Sequence, residues 1–102
     1  MSDKIYTIDE IKTILAKILC TLPVYQVILF GSYAKHKAND KSDLDLIVDT
    51  KGHLRGFDLL ELIYTIEQSF KKNVDVFEKY EIIENSRIDN EIKNTGVIVY
   101  EK

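Results

Sequence analysis

The stretch that decides the fold of this chain is GSYAKHKANDKSDLDLIVD, residues 31–49. It begins where the apolar run VYQVILF, residues 24–30, meets Gly31 and Ser32, and it ends in a second apolar run. The first run is rich in β-branched and aromatic residues, so it predicts a mostly buried strand that ends in a tight turn. We expect a short helix over roughly residues 32–38, then a polar loop and a second strand over residues 44–48.

The second predicted strand has one acidic and one apolar face. Side chains alternate along a strand, so Asp43, Asp45 and Ile47 share one face. The opposite face carries Leu44, Leu46 and Val48. Two carboxylates held this close repel each other, and a hard divalent cation with oxygen ligands is the usual means of keeping both ionised. The alternative is structural, with Asp43 capping the loop and Asp45 at an exposed sheet edge.

One amphipathic helix is predicted before these two strands in the sequence, and another is predicted after them. Thr7 and Glu10 have the spacing of a capping box, and an apolar stripe over residues 11–22 follows them. Cys20 lies on this stripe, and we expect it in the core. The second helical stripe comprises Leu59, Leu60, Ile63, Ile66 and Phe70.

Two strands and a helix complete the chain. Residues 74–77, VDVF, predict a short strand with Asp75 at its second position. Ser86 begins a helix that Gly96 ends, and the strand of residues 97–100 follows. The order α-β-α-β-α-β-α-β predicts an α/β (α+β) fold, a mixed or parallel β-sheet of about four strands covered by helices. Its 102 residues correspond to a single domain, residues 1–102.

The composition argues against several classes of protein. Hydrophobic residues make up 45% of the chain and Gly plus Pro only five positions, which is typical of a globular domain. A net charge of −3 is unfavourable for a nucleic-acid binder, and the one dense basic patch is Lys35, His36, Lys37 and Lys41. A single cysteine, no apolar run of membrane length and no signal-like start make the cytoplasm the expected location.

The Gly-Ser pair suits an anion, because glycine permits the tight turn and serine adds a hydroxyl donor. Ten residues separate Ser32 from Asp43, so a phosphate-binding turn at the end of one strand would face a metal-binding pair at the start of the next. Asp75 would be costly to bury unpaired. It could join the other two carboxylates in one site, or pair with a lysine.

These residues resemble the Gly-Ser, ten-residue spacer and Asp-x-Asp signature of the nucleotidyltransferase superfamily that includes DNA polymerase beta. The resemblance extends along nearly the whole chain, through a third Asp in NVDVF to the closing GVIVYE. It implies the polymerase beta-like nucleotidyltransferase fold. Length and element order are similar to the minimal nucleotidyltransferases, many of which are antitoxins encoded beside a small helical HEPN toxin. In that group, MntA-type antitoxins transfer AMP from ATP onto a tyrosine of the toxin.

The resemblance also implies roles for individual residues. Asp43 and Asp45 would hold two magnesium ions, and Asp75 would bind the metal beside the attacking hydroxyl and assist its deprotonation. The residues implied in phosphate binding are Gly31, Ser32 and Lys35. The family commonly has Arg-Gly where this chain has Lys35 and His36, so a bidentate phosphate donor is replaced by a point charge.

Two functions follow from the resemblance. The first is a magnesium-dependent protein adenylyltransferase with ATP as substrate, acting on a HEPN-type partner. The alternative is a catalytically weak or inactive nucleotide-binding antitoxin that blocks its partner by complex formation. Docking could use the apolar residues Phe57, Tyr64, Tyr80, Ile82 and Ile83, although we expect Phe57 and Tyr64 to complete the core instead.

Overall fold

The computed structural model describes residues 5–102 and contains helices and strands in strict alternation. The helices are α1 (Ile8–Leu19), α2 (Gly31–Ala34), α3 (Phe57–Phe70) and α4 (Arg87–Thr95). The strands are β1 (Gln26–Phe30), β2 (Leu44–Asp49), β3 (Val74–Glu78) and β4 (Val97–Glu101). This order confirms the predicted alternation. A 3-10 turn at Lys79–Glu81, after β3, was not predicted.

The four strands form one mixed sheet in the order β3-β2-β1-β4. β1 pairs antiparallel with both β2 and β4, whereas β2 and β3 run parallel. The predicted mixed sheet is therefore confirmed. Because β2 lies between β1 and β3, the alternative that placed Asp45 at an exposed sheet edge is wrong.

One face of the sheet forms the hydrophobic core with α1 and α3. The apolar face predicted for β2 is confirmed, since Leu44, Leu46 and Val48 are fully buried there. The capping box is confirmed as well. The backbone N–H of Glu10 donates to Thr7 Oγ1 at 3.1 Å, and the backbone N–H of Thr7 donates to Glu10 Oε1 at 3.0 Å.

Helix α1 is shorter than its apolar pattern, and this changes the environment of Cys20. The helix ends at Leu19, and Cys20 is its exposed C-cap residue. The expectation of a core cysteine is therefore wrong, because the residue lies past the last helical position that faces the sheet.

Helix α3 buries only part of the predicted stripe and adds Leu62 to it. Leu62, Ile66 and Phe70 face the core, whereas Leu60 is 60% exposed. Residues 59–63 read LLELI, so the apolar pattern fits two helical phases, and packing against the sheet selects one. Two further apolar residues of α3 are exposed as well: Phe57 is 88% and Tyr64 is 62% exposed, so the expectation that they complete the core is wrong.

The other face of the sheet is covered in part by α4. Ser86 caps this helix by accepting from the backbone N–H of Asp89, and Gly96 follows its last residue, as predicted. None of the α4 side chains is fully buried, and Ile88 and Ile92 are half-buried. Within residues 5–102, no helix has the length and apolar character needed to cross a bilayer.

Candidate active site

Two of the predicted carboxylates meet on the face of the sheet opposite to α1 and α3. The parallel register of β2 and β3 sets Asp45 directly beside Asp75, and the two carboxyl groups are close enough to interact. Burial, together with the interaction with Asp75, raises the pKa of the Asp45 carboxyl to about 6. Asp45 therefore holds a proton more tightly than an isolated carboxylate does.

The third predicted carboxylate, Asp43, is exposed and lies one residue before β2. Its charge contributes to the raised pKa of Asp45, so the two groups interact electrostatically. Within residues 5–102, no three His, Cys, Asp or Glu side chains form a group that could hold a metal ion as they stand. The convergence of all three carboxylates on one ion stays a prediction.

The contact between Asp45 and Asp75 is chemically suited to a hard cation. Its donors are all oxygen atoms, which magnesium prefers over nitrogen or sulfur ligands. A divalent cation bound beside Asp45 and Asp75 would relieve the repulsion between the two carboxylates. This arrangement fits the magnesium implied by the resemblance.

Gly31 brings the turn after β1 against the carboxylate of Asp45. Phe30 is the register partner of Asp45, so Gly31 lies immediately beyond the paired residues. Gly31 has a φ of +74°, a backbone conformation that favours glycine. A Cβ atom on Gly31 would also collide with Asp45 Oδ2. Both the turn and the close approach of the carboxylate thus require glycine.

The short helix α2 holds Ser32 next to this turn. Tyr33 and Ala34 are buried in the core and anchor the helix, while Ser32 is half-buried. The predicted helix over residues 32–38 is too long, because the helix ends at Ala34 and His36 takes a φ of +58°. The position where the family commonly has glycine therefore adopts a left-handed backbone conformation here, although its residue is histidine.

Lys35 points toward α4 and forms an ion pair there. Its Nζ lies 3.0 Å from Glu91 Oε1, and the two side chains are 40% and 23% exposed. Glu91 also contributes to the raised pKa of Asp45. Sequence reasoning missed Glu91. Its position between Ile88 and Ile92, the half-buried residues of α4, is the signal that could have placed it on the sheet side of the helix.

A groove of about 640 Å³ lies beside the acidic residues, between the end of β3 and α4. Phe77, two residues beyond Asp75, forms part of its wall and packs against Phe30 with ring centroids 5.9 Å apart. Other lining residues are Ile82, Ile83, Arg87, Ile88 and Glu91. Among the predicted docking residues, Ile83 is 75% and Tyr80 is 63% exposed. This side of the molecule thus combines apolar surface with the acidic pair.

The fold, the Gly-Ser turn and the paired aspartates together define a nucleotidyltransferase. Residues 9–102 match the family described as "Polymerase beta, Nucleotidyltransferase". The chain belongs to this family, which confirms the resemblance and the fold inferred from the sequence.

Individual proteins and solved structures are also similar to this chain. A protein of Methanocaldococcus jannaschii named "Putative protein adenylyltransferase" is 36% identical over 69 residues, which are 68% of this chain and 74% of that protein. A crystal structure of a toxin–antitoxin with AMP-PNP has a TM-score of 0.70 at 19% identity, covering 89% of this chain and 73% of the other. A tri-AMPylated Shewanella oneidensis HEPN toxin in complex with its MNT antitoxin gives a TM-score of 0.65 at 17% identity, covering 94% and 74%. At identities of 19% and 17%, these two structures show a similarity of fold alone.

Proposed function

We propose that this nucleotidyltransferase is a protein adenylyltransferase that transfers AMP from ATP to a hydroxyl group, that of a tyrosine, on a HEPN-type helical partner encoded beside it. In this role it acts as an antitoxin. The name of the M. jannaschii relative and the AMPylated toxin in the S. oneidensis complex support the proposal. The observation that carries it is the side-by-side placement of Asp45 and Asp75 against the Gly31 turn.

The carboxylates would act on the metal and on the attacking hydroxyl. Asp43 and Asp45 would hold two magnesium ions, and Asp75 would be the third ligand. Bound there, the ions would stabilise charge on the entering and leaving oxygens of an in-line displacement. Asp75 would assist removal of the hydroxyl proton as the oxygen bonds to the α-phosphorus. The bond between the α-phosphorus and the oxygen that bridges it to the β-phosphate would break, and pyrophosphate would be released.

The turn after β1 would receive the leaving pyrophosphate. The backbone at Gly31 approaches Asp45 closely, so phosphates at the turn would lie next to the metal-binding carboxylates. Ser32 would donate its hydroxyl. Lys35, at the end of α2, would add a positive charge; its ammonium contacts Glu91 in this structure.

Mass spectrometry of the partner tests the proposal. The chain is incubated with the product of its neighbouring gene, ATP and magnesium, and we expect the partner to gain the mass of one or more AMP groups. Omission of magnesium should prevent the gain. A double variant, Asp43→Asn with Asp45→Asn, should lose transfer while keeping its fold. Asp58→Asn is the matched control, because Asp58 is exposed on α3, across the sheet from the acidic pair.

The test also separates catalysis from inhibition by binding. A stable complex with an unmodified partner would support the alternative of an antitoxin that blocks its partner by contact. Unimpaired transfer by the double variant would refute the site assignment. Neither result would alter membership of the family.

A further inference from the structure

The ion pair between Lys35 and Glu91 joins the proposed phosphate-binding turn to α4. Glu91 Oε1 lies 3.0 Å from Lys35 Nζ, within charge-assisted hydrogen-bond distance. Glu91 is also close enough to Asp45 to raise the pKa of that carboxyl. A carboxylate of α4 therefore faces the acidic side of the sheet and holds the cation that the proposed function assigns to the nucleotide.

The charges around this ion pair make it a competitor for an incoming phosphate. A lysine ammonium is a point charge with three donors, and Glu91 occupies part of its coordination. A triphosphate that approaches the Gly31 turn must attract Lys35 away from Glu91 or share it. The exposed pair is a weak interaction, on the order of 1 kcal/mol or less, so a polyanion can displace it.

The packing of α4 makes such a displacement possible at low cost. The helix packs against β1 but has no fully buried side chain, and its apolar residues Ile88 and Ile92 are only half-buried. Its own ion pair, between Asp89 Oδ2 and Lys93 Nζ at 2.9 Å, lies within the helix. Elements with few buried apolar contacts open most easily. Release of Lys35 therefore disturbs little of the core.

We propose that Glu91 is a positioning residue that competes with the nucleotide triphosphate for Lys35, so that the pair acts as a latch between α4 and the phosphate-binding turn. The inference rests on the proposed function, since it takes Lys35 as a phosphate ligand. Because an anion must replace Glu91 at Lys35, Glu91 weakens the binding of anions at the site. A polyanion is then favoured over a single phosphate group. It makes no bond to the reacting atoms.

The test measures binding of AMP-PNP by calorimetry, with magnesium and again with a chelator. Glu91→Gln frees Lys35, and we expect the Kd for AMP-PNP to fall about three- to fivefold, the factor that corresponds to an exposed ion pair. In the Lys35→Met background the same substitution should change the Kd less than about 1.5-fold, since no cation is left to release. Glu61→Gln, which removes an exposed carboxylate on α3, should leave the Kd unchanged.

Each outcome has a defined meaning. An unchanged or weaker affinity of Glu91→Gln overturns the competition. An equal gain with and without Lys35 also overturns it, because the effect would then be repulsion by Glu91 alone. If the unaltered chain binds no AMP-PNP while its urea unfolding is cooperative, the proposed function fails together with this inference. Binding by the unaltered chain without the Glu91 effect removes the inference and leaves the proposed function standing.

Discussion

Replacing Gly31 by alanine perturbs the site at the point where the backbone touches Asp45. The new Cβ would meet Asp45 Oδ2, and the residue would have to keep a φ of +74°. Gly56→Ala is a matched control, because Gly56 also has a positive φ, +56°, but nothing lies within 4 Å of its Cβ position. The two variants therefore both place alanine at a positive φ, and they differ in the collision with Asp45.

The expected loss of stability has two parts. A left-handed backbone costs a non-glycine residue about 1–2 kcal/mol. At Gly31 the carboxyl of Asp45 must also move to make room for the new Cβ, and overpacking of this kind adds about 1–3 kcal/mol. Gly31→Ala should thus lose about 2–5 kcal/mol of the free energy of unfolding. A displacement near 1 Å within a catalytic site can reduce transfer by about a hundredfold.

Urea denaturation measures the stability of both variants, and AMP transfer to the partner measures activity. We expect Gly31→Ala to be less stable than Gly56→Ala and almost inactive, whereas Gly56→Ala keeps its transfer rate. The reasoning is refuted if the two variants lose equal stability and Gly31→Ala still transfers AMP within threefold of the unaltered chain.

Three further predictions concern single side chains. Asp45→Asn should abolish transfer yet raise the free energy of unfolding of the metal-free protein at neutral pH by about 1 kcal/mol, because burial and neighbouring charges raise the pKa of Asp45; urea denaturation with a chelator checks this. Burial also raises the pKa of Glu78, so the free energy of unfolding falls as the pH rises from 4.5 through that raised pKa. Glu78→Gln keeps the acceptor for the Thr50 hydroxyl and should flatten this fall in denaturation curves recorded at several pH values. An unchanged slope would contradict the assignment of the fall to Glu78. Thr7→Ala removes the cap of α1 and should lower the free energy of unfolding by about 1 kcal/mol, with the exposed Cys20→Ser as a neutral comparison in thermal melts.

Much of the secondary structure is predictable because its signals are local. A capping box begins α1, and a β-branched run closed by Gly31 defines β1. The phase of α3 was not predictable, since apolar residues at positions 59–63 fit two faces and only packing selects Leu62 over Leu60. The exposed position of Cys20 likewise depends on where α1 ends against the sheet.

The site is predictable only in part, because its geometry depends on how strands pair. Alternation puts Asp45 on the face away from the core, but its contact with Asp75 requires β2 and β3 to be parallel neighbours in this register. Local sequence does not determine that pairing. The ion pair of Lys35 with Glu91 is even less predictable from the sequence, because these two long side chains meet only through the way α4 crosses the sheet.

Helix α4 buries no side chain completely, so we expect the molecule to have two parts that open at different rates. Amide protons of the central strands, covered by α1 and α3, would exchange with solvent only when the whole domain opens. Those of α4, which buries no side chain completely, would exchange through a much smaller local opening. A ligand that bridges α4 and the turn at Gly31 would slow only the second group.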